Sequence, residues 1–229
     1  ILGALSLAAG KRSEAIEYYK KAVLLILKSF KTDRHHGFDI EELKDSSQKI
    51  IDQISTQTER TIISRDYNQL GIHLLNLGSL HEASGFFRQA VRYGPESAEA
   101  YHNLGIALLH LGLVVKAQTN FARAITLKTD FAEAHNNLGI TYKKLGKITQ
   151  AEQCFQDAIS HKNDFAAAHK NLANTQKQLG LFKDAESNYR KTISLMPAYS
   201  SAHYNLAVML LESGKLAEAE GSFRHAIAA

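Results

Sequence analysis

Asn103, Asn137, Asn171 and Asn205 recur every 34 residues, each directly before a leucine, and Gln69 holds the same place one interval earlier. A carboxamide carries one acceptor oxygen and two N–H donors, which matches the C=O and N–H of another chain's backbone. Asparagine is a poor helix former because its side chain competes for backbone hydrogen bonds, so a row of them in helical sequence needs a reason. Rungs roughly 10 Å apart, the spacing of packed helices, would touch an extended peptide about once every three residues, since it advances ~3.3 Å per residue. Each bond would contribute roughly 0.5–1.5 kcal/mol whatever the peptide's side chains. The alternative is that these amides bond the backbone of the neighbouring unit and hold the twist between units.

Selectivity must then come from other residues on the same helical faces. Ile72, Leu75, Ile106 and Leu109 make the early half of the row apolar, and Lys143, Lys144, Lys170 and Lys177 make the later half basic. A ligand apolar at one end and acidic at the other fits that gradient.

Other chemistry finds little to work with. Among eleven histidines, His135, His169 and His203 stand one interval apart. Roughly 10 Å between rungs cannot serve one ion whose ligand bonds are ~2 Å, so they are read as buried imidazoles replacing an aromatic ring. His35 and His36 beside Gly37 have no cysteine or carboxylate at matching spacing. Cys154 is the single cysteine, so no internal disulfide or thiolate zinc site is available. With His161 seven residues on, it is read as partly buried and not as a nucleophile. The stretch from Gly112 to Lys116 lacks the second glycine of a phosphate loop. No metal, no cofactor and no catalytic residue is expected in this chain.

The elements that carry these residues repeat. Gly78, Gly112, Gly146, Gly180 and Gly214 are 34 residues apart, and Gly71, Gly105 and Gly139 form a second series at the same interval. Counting from Ser64 gives units 64–97, 98–131, 132–165, 166–199 and a truncated 200–229. In each unit, place 7 is leucine, place 8 is Gly71, Gly105, Gly139, Ala173 or Ala207, and place 20 is alanine. Place 24 is Phe87, Phe121, Phe155, Tyr189 or Phe223, a ring filling the space that the small place-8 residue leaves. Places 4, 7, 8 and 11 share one helical stripe, as do 20, 24 and 27. Glycine at place 15 ends the first helix, and Pro95 and Pro197 punctuate the second.

Leu-Gly in a first helix, Gly at the turn, Ala and an aromatic in a second helix and Pro after it make the chain resemble the tetratricopeptide repeat family. The resemblance spans five consecutive units. It implies an all-α, right-handed superhelical solenoid of antiparallel helix pairs whose concave face binds protein. The place-4 residue, often Trp in that family, is Tyr67, Tyr101, His135, His169 and His203 here. The row of asparagines resembles the ladder in the repeat arm of O-GlcNAc-transferase-like proteins, which implies recognition of extended segments. Lys170, Asn174 and Asn205 resemble three of the five residues of the family's chaperone-tail carboxylate clamp.

The rest of the chain is less regular. Residues 1–29 read as a partial helix pair, with Leu2, Gly3, Gly10, Ala15, Tyr19 and Ala22 in register. Residues 30–63 break the pattern: a polar turn is followed by a capping box, Asp39 with Glu42. One long amphipathic helix carrying Ile50, Ile51, Ile54, Ile62 and Ile63 then serves as divergent insert or connector.

Composition narrows the partner. Residues 1–63 carry ten basic and nine acidic side chains and 64–229 carry seventeen and fourteen, so no dense cationic face for nucleic acid forms. The longest apolar runs, such as Ala22 to Leu27, are far short of the roughly 20 residues that span a bilayer. Absence of a targeting segment favours the cytoplasm, in a chain that lacks an initiating Met and reads as a fragment. The expected function is a protein-interaction module that holds an extended peptide. The alternative is the recognition arm of a larger glycosyltransferase or sulfotransferase. Leu216, Phe223 and Ile227, with little to cover them, invite a further repeat or self-association.

Overall fold

The computed structural model describes residues 57–228. The expectations for 1–29, and for the connector up to residue 56, lie outside the described residues. The chain divides into Ile1–Thr61 and Ile62–Ala229, and the second unit holds the repeats.

Ten helices are described: α1 (Gln57–Asn76), α2 (Leu80–Tyr93), α3 (Ala98–His110), α4 (Val114–Leu127), α5 (Ala132–Lys144), α6 (Ile148–His161), α7 (Ala166–Gln178), α8 (Phe182–Leu195), α9 (Ser200–Glu212) and α10 (Leu216–Ala228). From α2 onward each helix packs on the one after it, and α3 also reaches α5 as α7 reaches α9. The result is an all-α stack of helix pairs with one pair per 34-residue unit.

The first boundary differs from the sequence expectation. α1 is described from Gln57, and in it Ile62 and Ile63, assigned to the connector, share a helix with Tyr67 and Leu70. Ile63 and Tyr67 are both buried. Helical periodicity runs unbroken through residue 64 and gives no local signal for a border there.

The turns show why glycine recurs. Gly146 has φ +74°, and its equivalents from Gly78 to Gly214 lie between +74° and +78°. That left-handed conformation costs a side chain steric energy but costs glycine nothing. It lets the Lys147 N–H reach back to the Tyr142 carbonyl at 2.9 Å, and the same bond runs from Leu113 to Leu108 and from Leu181 to Gln176. Carbonyls left open at the helix end are thereby satisfied. Side-chain capping helps at α3, where Ser97 Oγ accepts from the Ala100 N–H.

Inside each pair the place-24 ring lies against place 8. Phe87, Phe121 and Phe155 are fully buried, as is Tyr189. A Cβ on Gly139 would stand 2.6 Å from Phe155 Cε1, closer than any packed carbon. Ala83, Ala117, Ala151, Ala185 and Ala219 are buried at place 20, which lets the two helices approach. The place-4 histidines are buried too, and each is tied to the unit before it. His135, His169 and His203 point Nε2 at the carbonyls of Thr129, Asn163 and Pro197, at 2.9, 3.1 and 2.9 Å. A carbonyl only accepts, so Nε2 is the donating nitrogen at His135 and His203. At the end of the described stack Leu216 and Ile227 are exposed, while Phe223 is half-buried.

Candidate functional site

The asparagine row sits on the first helix of each unit, and every member is half-buried. Asn103 Nδ2 donates to Asn68 Oδ1 at 3.0 Å. Asn137 Nδ2 lies 2.9 Å from His102 Nε2, and Asn171 Nδ2 donates to Asn136 Oδ1 at 2.9 Å. Asn205 Nδ2 donates to Asn174 Oδ1 at 3.1 Å. The amides therefore join α1 to α3, α3 to α5, α5 to α7 and α7 to α9.

The amides do bond the neighbouring unit, as the alternative reading drawn from sequence has it, but their partners are side chains of that unit and not its backbone. Three of the four are the residue just before the ladder position, at place 5: Asn68, His102 and Asn136. At the last junction that place is Lys170, which cannot accept, and Asn174 one turn later takes over. One N–H per ladder amide is spent on the stack. The oxygens of Asn171 and Asn205 have no protein partner among the described residues and are not covered over.

Two threonines hold the ladder helices in shape. Thr141 and Thr175 are fully buried, and their hydroxyls donate to the carbonyls of Asn137 and Asn171, each at 2.7 Å. Asn174 is more heavily used than the sequence implies: its Oδ1 also accepts from the Tyr189 hydroxyl at 2.6 Å. Burial pushes that phenol up to about 12, with Glu212 adding to the effect, so it stays a donor.

The lysines divide into three kinds. Lys144 is exposed. Lys177 is half-buried, but Glu212 lies 3.0 Å from its ammonium, so its charge is already answered. Lys143 and Lys170 are half-buried, without a carboxylate partner among the described residues. Lys170 Nζ donates to the Tyr199 hydroxyl at 2.7 Å and stands 5.1 Å from the centre of that ring. Burial lowers the Lys143 pKa, and the charge of Lys170 lowers it further. Ile72 and Ile106 are half-buried with Leu75 and Leu109, all packed against the cluster that contains Leu74, Leu104 and Leu108.

A second polar network escaped sequence reading. His169 Nδ1 meets Asn188 Oδ1 at 2.8 Å, Asn188 Nδ2 donates to Gln176 Oε1 at 2.9 Å, and Gln176 reaches Glu152 at 3.5 Å. It links α6, α7 and α8, and its members sit at different places in their units, so no period marks it. Place 5 did leave a trace, in the doubled Asn136-Asn137.

Cys154 is buried, and burial, with Asp157 second, raises its thiol to about 12. His161 lies beside His135, ring centres 5.2 Å apart. Among the described residues no group of three His, Cys, Asp or Glu side chains could hold a metal ion, and no helix is long and apolar enough to cross a membrane.

Tetratricopeptide repeat models match residues 68–130, 132–165 and 170–229. A comparison with curated proteins gave no match. Among solved structures, PilF of Pseudomonas aeruginosa is similar at 20% identity and TM-score 0.70, over 74% of this chain and 78% of that one. MamA from Desulfovibrio magneticus RS-1 is similar at 20% identity and TM-score 0.65, over 72% and 93%. YrrB, described as a TPR protein with an unusual peptide-binding site, is similar at 20% identity and TM-score 0.59, over 71% and 84%. At such identities these likenesses concern the fold. With repeat models covering more than half of its length, and helix pairs closing on glycine turns at a 34-residue interval, the chain belongs to the tetratricopeptide repeat family.

Proposed function

We propose that the chain is a protein-interaction module that holds an extended segment of another protein against its first helices. Asn103, Asn137, Asn171 and Asn205 make the sequence-independent contacts. The observation that carries this reading is the one-sided use of the amides. Each ladder Nδ2 is fixed by the preceding unit, so the side chain is oriented before any ligand arrives. The Asn171 and Asn205 oxygens are left to accept from a foreign backbone N–H. Orienting a side chain in advance lowers the entropy lost on binding.

Ile72 and Ile106 give apolar contact at the early end and Lys143 and Lys170 favour acid at the later end, with Lys177 contributing less because Glu212 holds it. The peptide-binding site named for YrrB supports the reading by analogy of fold. Roughly 0.5–1.5 kcal/mol per bond makes the ladder alone a weak binder, so the partner is chosen by the side chains around it.

The test is a peptide array probed with the wild-type chain and an Asn137→Ala/Asn171→Ala double variant. Loss of signal across peptides of unrelated sequence is expected. An unchanged array would remove the ladder from the mechanism.

A further inference from the structure

The ladder junctions differ in what accepts the brace. Asn103, Asn171 and Asn205 each donate Nδ2 to the Oδ1 of an asparagine: Asn68, Asn136 and Asn174. An amide oxygen stays an acceptor whatever the pH. Asn137 donates instead to a ring nitrogen, His102 Nε2, at 2.9 Å. That nitrogen accepts only while it carries no proton, which puts the proton of the neutral ring on Nδ1. His135 and His203 are used the opposite way, with Nε2 donating to a carbonyl. Among the described residues, one ladder rung thus hangs on an acceptor that titrates.

His102 is buried, with the rings of Phe131 and Phe121 centred 4.7 and 5.7 Å from its own. The charges that act on it most are Glu133 of α5 and Glu99 of its own helix, none of them on α2 or α4. Both carboxylates favour the proton, and Glu133 is itself held by Lys162 at 2.9 Å. Burial outweighs them and keeps the ring below the ordinary 6.5, so it is neutral at neutral pH and charges in acid.

A proton on Nε2 sets two donors 2.9 Å apart, the ring N–H and the amide N–H of Asn137. A half-turn of the amide removes the conflict. Its oxygen and nitrogen are alike in size, and the oxygen then accepts a charge-assisted bond from the ring. The link that opposes the half-turn runs from Asn136 Nδ2 to Asn137 Oδ1 and is 3.5 Å long, at the weak limit of hydrogen bonding. After it, Asn137 shows N–H to the groove where Asn171 and Asn205 show oxygen. Rungs roughly 10 Å apart match about three residues of an extended chain. A register that suits the other rungs then no longer suits Asn137, whatever the ligand's sequence.

We infer that His102 is a proton-operated positioning residue of the ladder: its neutral ring keeps the Asn137 oxygen toward the bound chain, and protonation at Nε2 turns that amide over and loosens the hold. The switch rests on the reading of the ladder face as a peptide groove and adds its regulation, release in acid.

The experiment follows the isotope-labelled full chain by NMR between about pH 7.5 and about 5. It is observed alone and titrated with an end-blocked peptide of alternating serine and threonine, which has no group that titrates there. In the free chain His102 is expected as the Nδ1–H form at the upper pH. The Asn137 side-chain amide signals should move with the His102 ring as acid is added, while those of Asn205 hold still. The peptide should bind the wild-type chain a few-fold to about tenfold more weakly at the lower pH. His102→Asn, which puts at place 5 the amide that Asn68 and Asn136 provide, should lose most of that step. Backbone signals in the same spectra report folding, and an acid loss that coincides with their collapse is unfolding and overturns the switch. An Nε2–H ring at the upper pH, Asn137 signals indifferent to the ring's titration, or the same acid step in His102→Asn would also overturn it, with the groove intact. Absence of binding at the upper pH fails the groove reading instead, and the regulation with it.

Discussion

Asn171 in α7 donates through Nδ2 to Asn136 Oδ1 in α5 at 2.9 Å, and Asn136 is buried while Asn171 is half-exposed. A buried residue thus sets the direction of a more exposed one. Truncating the buried partner should therefore act on binding. Asn136→Ala is expected to weaken peptide binding by roughly 0.5–1.5 kcal/mol, a few-fold to about tenfold, read by isothermal calorimetry. Asn136→His should restore much of it, because His102 performs the same service for Asn137 at 2.9 Å. Unchanged affinity in the alanine variant would show that the brace is irrelevant to the groove.

Gly139 and Phe155 predict a packing defect. A Cβ at position 139 would meet three ring carbons of Phe155 at 2.6, 2.9 and 2.9 Å, and that ring is fully buried. Gly139→Ala should cost about 1–3 kcal/mol through overpacking, seen as a lower urea midpoint. Adding Phe155→Leu should recover part of the loss, so that the two changes couple favourably. Additive losses would mean that the ring had moved aside freely.

His102 gives the stack a pH dependence. Burial holds its pKa below the ordinary 6.5, although Asn103, Glu133 and Glu99 pull the other way. Above about pH 6.5 both folded and unfolded chains carry the neutral ring and stability is indifferent to it. As pH falls below that, the unfolded chain takes the proton first, and the folded state loses stability until its own lower pKa is passed. Protonated Nε2 can no longer accept from Asn137. Urea titrations between about pH 7.5 and about 5 should show a smaller acid loss for His102→Asn than for the wild type. The same acid loss in both chains would contradict the assignment. Asparagine is the conservative choice because Asn68 and Asn136 occupy the equivalent place.

Much of the solenoid was legible because its forces are local and recur. A glycine at place 15 signals a left-handed turn wherever it stands, and Gly78 to Gly214 all adopt it. Leucine, alanine and aromatic stripes name the buried faces, and they are the faces that Leu104, Ala117 and Phe121 bury. The histidines at place 4 read as core residues and are. The continuation of one helix through residues 62 to 70 was not legible, since Ile62 and Ile63 follow a helical pattern that fits a connector as well as a repeat.

What the sequence determined by itself is the repeating unit: period, helix pairing, and which side chains face inward, all consequences of backbone preference and apolar periodicity within 34 residues. What only the tertiary structure decided is how side chains meet between units. Asn171 finds Asn136, Lys177 finds Glu212 and Asn205 turns to Asn174 across separations of 35, 35 and 31 residues. Such pairings depend on the offset and twist of one unit on the next. Those are fixed by packing over the whole junction, which the pattern within one unit does not encode, so the ladder's oriented amides and the unanswered charges of Lys143 and Lys170 emerge only once the units are stacked.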